Sequence, residues 1–198
     1  HPAPVESQLV LVTPVLGDPV GFLPALSAAL AAGPVAAVIA RFEAADERAL
    51  VNRIKQLAPV VQGQGAALMV EAPVETVARG GADGVHIAYR PEALSDAVGR
   101  LAPQRMVGVG GLKSRDDAMA AGEAGADYVM FGEPMVSRHA EKDGALPPFH
   151  AVVERVAWCW VALSNAAHER GLTMTPSASD IAKWLETVDA FVAAVEAA

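Results

Sequence analysis

The chain has 198 residues, of which 53% are hydrophobic and only 5% aromatic, and its formal net charge is −8 at pH 7. That length predicts a single domain, spanning 1–198, with enough chain to bury a full core. An acidic chain without a Lys/Arg-rich run argues against nucleic acid as a partner, and no apolar run reaches the ~18 residues that a membrane span needs.

The first predicted element is Leu9-Val10-Leu11-Val12-Thr13, a continuous apolar run ended by Pro14. A run without polar alternation reads as a strand buried on both faces. Residues 22–32 read as a helix stopped by Gly33-Pro34, and residues 35–40 as a second strand. A second helix begins near Asp46. Its apolar stripe is Leu50, Val51, Ile54, Leu57 and Val61, and Gly63 and Gly65 end it. Residues 66–70 form a third strand, and residues 74–79 a short helix closed by Gly80-Gly81.

An internal repeat follows. Gly81-Ala82-Asp83-Gly84-Val85-His86-Ile87-Ala88 is echoed 44 residues later by Gly125-Ala126-Asp127-Tyr128-Val129-Met130-Phe131-Gly132. In each copy the glycine suits the left-handed end of a helix, Ala-Asp makes the turn, and the apolar run is the next strand. Between the copies lie a helix near 92–101, a strand at 106–109, and a helix near 114–124 that opens with Ser114 and Asp117 as a capping box. The pattern predicts an α/β fold, a (β/α)8 barrel built on a parallel sheet, with six strands readable by residue 132 and the last two strand–helix units irregular. Residues 133–148 read as a polar loop and 149–158 as a helix running on towards 170. Residues 172–175 suit a short strand. Ser177 and Asp180 cap a final helix carrying Ile181, Trp184, Leu185, Val188, Val192 and Val195. Residues 156–163 read equally as helix or strand, so strand seven stays unplaced.

In such a barrel, ligand groups come from the carboxyl ends of the strands. In order these offer Thr13 and Pro14; Arg41 and Glu43; Glu71; Tyr89 and Arg90; Gly110, Gly111 and Lys113; then Gly132, Glu133, Arg138 and His139. Gly110-Gly111 followed by Lys113 before a helix suits an anion, but the signal is weak, since two glycines also make an ordinary strand–helix turn. His86, inside the fourth strand, is either a hydrogen-bonded interior histidine or a ligand or general base. Arg41 and Glu71, on adjacent strands, are either a structural ion pair or substrate ligands. Arg138 and His139 read as a solvated loop. No metal-ligand spacing stands out, and no P-loop, Rossmann fingerprint or Gly-x-Ser-x-Gly elbow is present. Cys159 is the only cysteine, and no signal peptide is recognisable, so a reducing cytoplasm is the expected setting.

Leu9-Val10-Leu11-Val12-Thr13, Gly81-Ala82-Asp83-Gly84-Val85-His86, Val107-Gly108-Val109 and the Gly125–Gly132 segment together resemble the thiamine-phosphate synthase and thiazole tautomerase family over residues 9–134. The resemblance implies a (β/α)8 barrel. It also implies the joining of a pyrimidine pyrophosphate to a thiazole phosphate with Mg²⁺, giving thiamine phosphate. The family's Gln-x-Arg-x-Lys run after strand two matches only at Arg41, and its lysine position holds Glu43. Its Asn-Asp-Arg after strand three, with the Asp on Mg²⁺, falls on Glu71-Ala72-Pro73. Its Gln-Glu-Asp after strand four, with the second Mg²⁺ carboxylate, falls on Tyr89-Arg90-Pro91. Its Ser-x-His after strand five falls on Gly110-Gly111-Leu112. The loop after strand six offers Ser137, Arg138, His139 and Lys142 without the family's Thr-x-Thr-Lys order.

Three functions fit. One is a divergent synthase-like protein of thiamine biosynthesis with most Mg²⁺–pyrophosphate groups lost. The second is a metal-independent isomerase or tautomerase on a thiazole- or pyrimidine-type phosphate, with acid–base work at Glu71, His86 or Glu133. The third is a non-catalytic binding barrel. The expected binding residues are Arg41, Glu71, His86, Gly110, Gly111 and Lys113, with no catalytic residue assigned and no metal ligand. The expected partner is a small phosphorylated heterocycle, and the resemblance leaves a homodimer open.

Overall fold

The computed structural model describes residues 9–131. Strands and helices alternate along it: β1 (Leu9–Leu16), α1 (Leu23–Ala32), β2 (Val35–Phe42), α2 (Glu47–Gln62), β3 (Ala67–Glu71), α3 (Val74–Gly80), β4 (Gly84–Ala88), α4 (Pro91–Leu101), β5 (Met106–Leu112), α5 (Arg115–Glu123) and β6 (Tyr128–Phe131). A 3-10 turn, Val20–Phe22, leads into α1. The loop expected at 133–148 with Glu133, Arg138 and His139, the later helices, and strands seven and eight lie outside the described residues.

The six strands form one parallel sheet in consecutive order, β1 to β6. Parallel neighbours require a crossover, and each helix supplies one. One face of the sheet carries Leu11, Val38, Ala40, Leu68, Val70, Val85, Val107, Val109 and Val129, packed against Leu26, Leu30, Ile54, Leu57, Val77, Leu94 and Ala121 of the helices. The expected stripe of α2 is the face it buries, with Ala58 added. The residues alternating with these lie on the other face. There Val12, Ile39, Met69 and Met130 form a second buried cluster, flanked by Val10, Ala37, Met106 and Tyr128. Val12 and Met130 belong to opposite edge strands yet share this cluster, so the sheet curls into a half-barrel and this face is its concave side.

The helix starts follow the capping chemistry of the sequence. The Asp46 carboxylate accepts from the Ala49 amide at 2.8 Å. At α5 the Ser114 hydroxyl accepts from the Asp117 amide at 3.0 Å while the Asp117 carboxylate accepts from the Ser114 amide at 3.1 Å, completing the expected box.

The two repeat copies build the same joint. Gly81 and Gly125 adopt φ of 83° and 95°, the left-handed turn that ends α3 and α5. The aspartate two residues later does more than turn the chain. The Asp83 amide donates to the Leu68 carbonyl at 2.9 Å, and its carboxylate accepts from the Leu68 amide at 2.7 Å. Asp127 makes the same pair of bonds with Val107, at 2.9 and 2.7 Å. Each aspartate therefore fastens the start of its own strand to the strand before it.

Two strands run further than the sequence suggests. β1 continues through Pro14 to Leu16, because a register shift between Val12 and Val15 takes up the missing proline donor. β5 continues to Leu112. Gly110 and Gly111 were expected to form the strand–helix turn; they are strand residues, with a register shift between Val109 and Leu112 and a φ of 70° at Gly111.

The aspartate clamps carry a test. Asp83→Ala and Asp127→Ala each strand a backbone N–H at the root of a buried strand, and each is expected to lower the unfolding free energy by about 1–3 kcal/mol. Urea titration checks this, and a loss under about 0.5 kcal/mol at both positions would contradict the clamp.

Candidate functional site

Strand register places five residues side by side across the concave face. Arg41 of β2 lies opposite Glu71 of β3, His86 of β4 opposite Gly108 of β5, and Gly108 opposite Tyr128 of β6. The pairing of Val70 with Val85 sets Glu71 next to His86. Their chain neighbours Ala40, Val70, Val85, Val107 and Val129 face the helices, so all five residues of the row face inward.

Arg41 and Glu71 form an ion pair, with Nε 3.3 Å from Oε2 and side chains 23% and 37% exposed. The pair bridges β2 and β3 at the rim. The Arg41 amide is held as well, donating to the buried Thr13 hydroxyl at 3.0 Å.

His86 is 5% exposed. Its Nδ1 lies 2.8 Å from the Tyr128 hydroxyl, and the two rings stack with centroids 5.6 Å apart at 17°. The residue between them in the row is Gly108. A Cβ at Gly108 would stand 2.0 Å from Cζ of Tyr128, so only glycine lets that ring cross β5 to reach His86. Gly110 does the same for the imidazole: a Cβ there would lie 2.6 Å from His86 Nε2. Burial, and secondarily the Arg41 charge, depress the His86 pKa to about 4, so the imidazole is neutral at pH 7. Burial, and then the charges of Glu71 and Asp127, push the Tyr128 hydroxyl well above the usual phenol range.

The structure thus brings together Arg41, Glu71, His86 and Gly110 from the expected set. Gly111 sits at the bulge of β5. Lys113 is exposed beyond the strand, and the amides of Lys113 and Ser114 already donate to the Asp117 carboxylate at 3.2 and 3.1 Å. The capping box therefore takes up the two amides just before α5 and that of Asp117. Tyr89, also at a strand end, packs with the helix-side core instead of the rim.

Tyr128 and Gly108 are the members that sequence reasoning missed. A signal was present: period two places Gly108 and Gly110 on one face, opposite Val107 and Val109. Two bare positions in a row on a covered face require a large side chain from a neighbouring strand.

The buried imidazole predicts a pH dependence. A histidine whose folded pKa lies below its unfolded value of about 6.5 adds no pH-linked cost above that value. Between about 6.5 and 4 the unfolded chain takes up a proton that the native state refuses, and stability falls with pH by up to about 3 kcal/mol. Urea titrations from pH 7.5 to 4 should show this loss in the native protein and not in His86→Gln; equal slopes in both would contradict it.

The family model described as thiamine monophosphate synthase matches residues 9–169. A thiamine-phosphate synthase from Rhodospirillum centenum is 39% identical over 127 residues, covering 64% of this chain and 61% of that protein. Another from Hyphomonas neptunium is 30% identical over 151 residues, covering 74% of this chain and 67% of that protein. This chain therefore spans about three fifths to two thirds of these relatives. Among solved structures, a thiamine phosphate pyrophosphorylase from Pyrococcus furiosus superposes with a TM-score of 0.55 at 22% identity, covering 74% of this chain and 69% of that one, which supports the α/β fold. With the family model matched over most of its length, the chain belongs to the thiamine monophosphate synthase family.

Proposed function

We propose that this chain is a divergent thiamine-phosphate synthase-like protein of thiamine biosynthesis that binds a small phosphorylated heterocycle at its strand ends and has lost most of the family's Mg²⁺–pyrophosphate groups. The observation that carries this reading is the charge at the rim. Glu43 stands where the resemblance implies a pyrophosphate-binding lysine, and like charge there repels pyrophosphate. Arg41, the retained cation, is paired to Glu71.

The resemblance implies Mg²⁺, and the residues present do not fit it. The two expected carboxylate positions fall in Ala72-Pro73 and Tyr89-Arg90-Pro91. Glu71 is the single carboxylate of the row and already neutralises Arg41, whereas a Mg²⁺–pyrophosphate site needs oxygen ligands to spare. Among the described residues, no three of His, Cys, Asp and Glu gather as a metal site. Closure as an eight-unit barrel in a single domain over 1–198, phosphate binding at the rim with Gly111 and Lys113 contributing, a homodimer and a cytoplasmic setting belong to the same reading.

One observation favours a second reading, a metal-independent isomerase or tautomerase on a thiazole- or pyrimidine-type phosphate. The concave face carries a neutral imidazole beside a carboxylate, and proton transfer without a metal calls for such groups.

Pyrophosphate release tests the first reading. With Mg²⁺, pyrimidine pyrophosphate and thiazole phosphate, turnover is expected at least about 10³-fold below that of a synthase carrying the full set, since losing even one charge-stabilising group costs that order. Turnover at the rate of such a synthase would overturn the proposal. Isomerisation of a thiazole- or pyrimidine-type phosphate without Mg²⁺ would favour the second reading.

A further inference from the structure

We propose that His86 is the hydrogen-bond donor of this site, presenting Nε2–H to the ligand, with Tyr128 as the positioning residue that sets this tautomer and Gly110 as the gap that keeps Nε2 uncovered. The inference deepens the reading of the concave face as a ligand site and rests on it.

A neutral imidazole has one donor and one acceptor nitrogen, and the bond made at one decides the other. Nδ1 of His86 is bonded to the Tyr128 hydroxyl at 2.8 Å. That hydroxyl stays protonated, and Nδ1 is its one acceptor among the described residues, so Tyr128 donates and Nδ1 accepts. The imidazole proton therefore sits on Nε2. The stacked rings and the notch at Gly108 hold this arrangement, because the Tyr128 ring has no other way across β5.

Nε2 lies above Gly110, on the inward side of β5. Among the described residues it has no hydrogen-bond partner, and no fully buried polar side-chain atom there lacks one. Among the described residues Nε2 is thus the edge of the ring left for a ligand to bond. Any side chain at position 110 would place a Cβ 2.6 Å from Nε2 and force the imidazole aside. The chemistry this edge recognises is a lone-pair acceptor, either a phosphoryl oxygen or a ring nitrogen of a phosphorylated heterocycle. It is a neutral donor, next in the row to an ion pair that has already cancelled its own charge.

The test uses the full chain labelled with ¹⁵N in its histidines. Long-range ¹H–¹⁵N spectra at pH 7.5 report which imidazole nitrogen carries the proton. The native protein is expected to show His86 as the Nε2–H form, and Tyr128→Phe, which keeps the ring and the notch, to shift it towards a mixture of tautomers. Titration with thiazole phosphate should move the His86 Nε2 resonance. Gly110→Ala should weaken binding about tenfold, the worth of one net hydrogen bond. Parallel titrations with inorganic phosphate and with the dephosphorylated thiazole alcohol tell a phosphoryl acceptor from a ring acceptor, and a response to either supports the donor. An Nδ1–H form in the native protein overturns the proposal, as does saturable binding of thiazole phosphate with Nε2 unmoved. Binding of none of the three probes removes the ligand reading of the concave face itself. Binding without an Nε2 response removes only the role of His86.

Discussion

The arrangement of the concave face depends on a missing side chain. With no Cβ at Gly108, the backbone of β5 becomes a floor on which the Tyr128 ring lies, and the ring reaches from β6 past β5 to β4. The 2.8 Å bond between Tyr128 and His86 follows from that reach, as does the stacking of the two rings. So does the absence of an unpartnered buried polar atom among the described residues of a face otherwise lined with methionine, isoleucine and valine. A side chain at position 108 would leave His86 buried with Nδ1 unpaired, a costly state in a site of low dielectric.

The two faces of the sheet do different jobs for a physical reason. The helix side is packed with Val, Leu, Ile and Ala, since parallel strands and their crossovers need no polar group between them. The concave side is apolar where Ile39, Met69 and Met130 fill it, and polar in one row that runs from the ends of β2 and β3 to the start of β6. Aspartates from the helix–strand joints hold the strands in register from outside this row, with Asp83 tying β4 to β3 and Asp127 tying β6 to β5. The same two strands carry His86 and Tyr128. The repeated joint therefore sets the height at which those side chains meet.

In the row across the concave face no charge is left uncompensated. Arg41 and Glu71 satisfy each other, the imidazole is uncharged, and the Asp117 carboxylate takes the Lys113 and Ser114 amides just before α5.

The sequence by itself determined the alternation of elements, the six strands up to Phe131, the α2 stripe and the capping box of α5. Each rests on contacts between residues a few positions apart, and local periodicity records them. The repeat at Gly81 and Gly125 also announced the helix–strand joints, although not that Asp83 and Asp127 clamp the preceding strands, since Leu68 and Val107 lie well back along the chain. The resemblance pointed to the family, and the placement of Arg41, Glu71 and His86 on strands was legible. Only the tertiary structure decided that these three share a row, that Tyr128 completes it, and that Gly110 belongs to the strand beside His86. Such facts depend on register between strands some twenty residues apart and on a bulge that shifts it. A linear pattern shows which face a residue takes, and only the folded sheet shows what lies next to it.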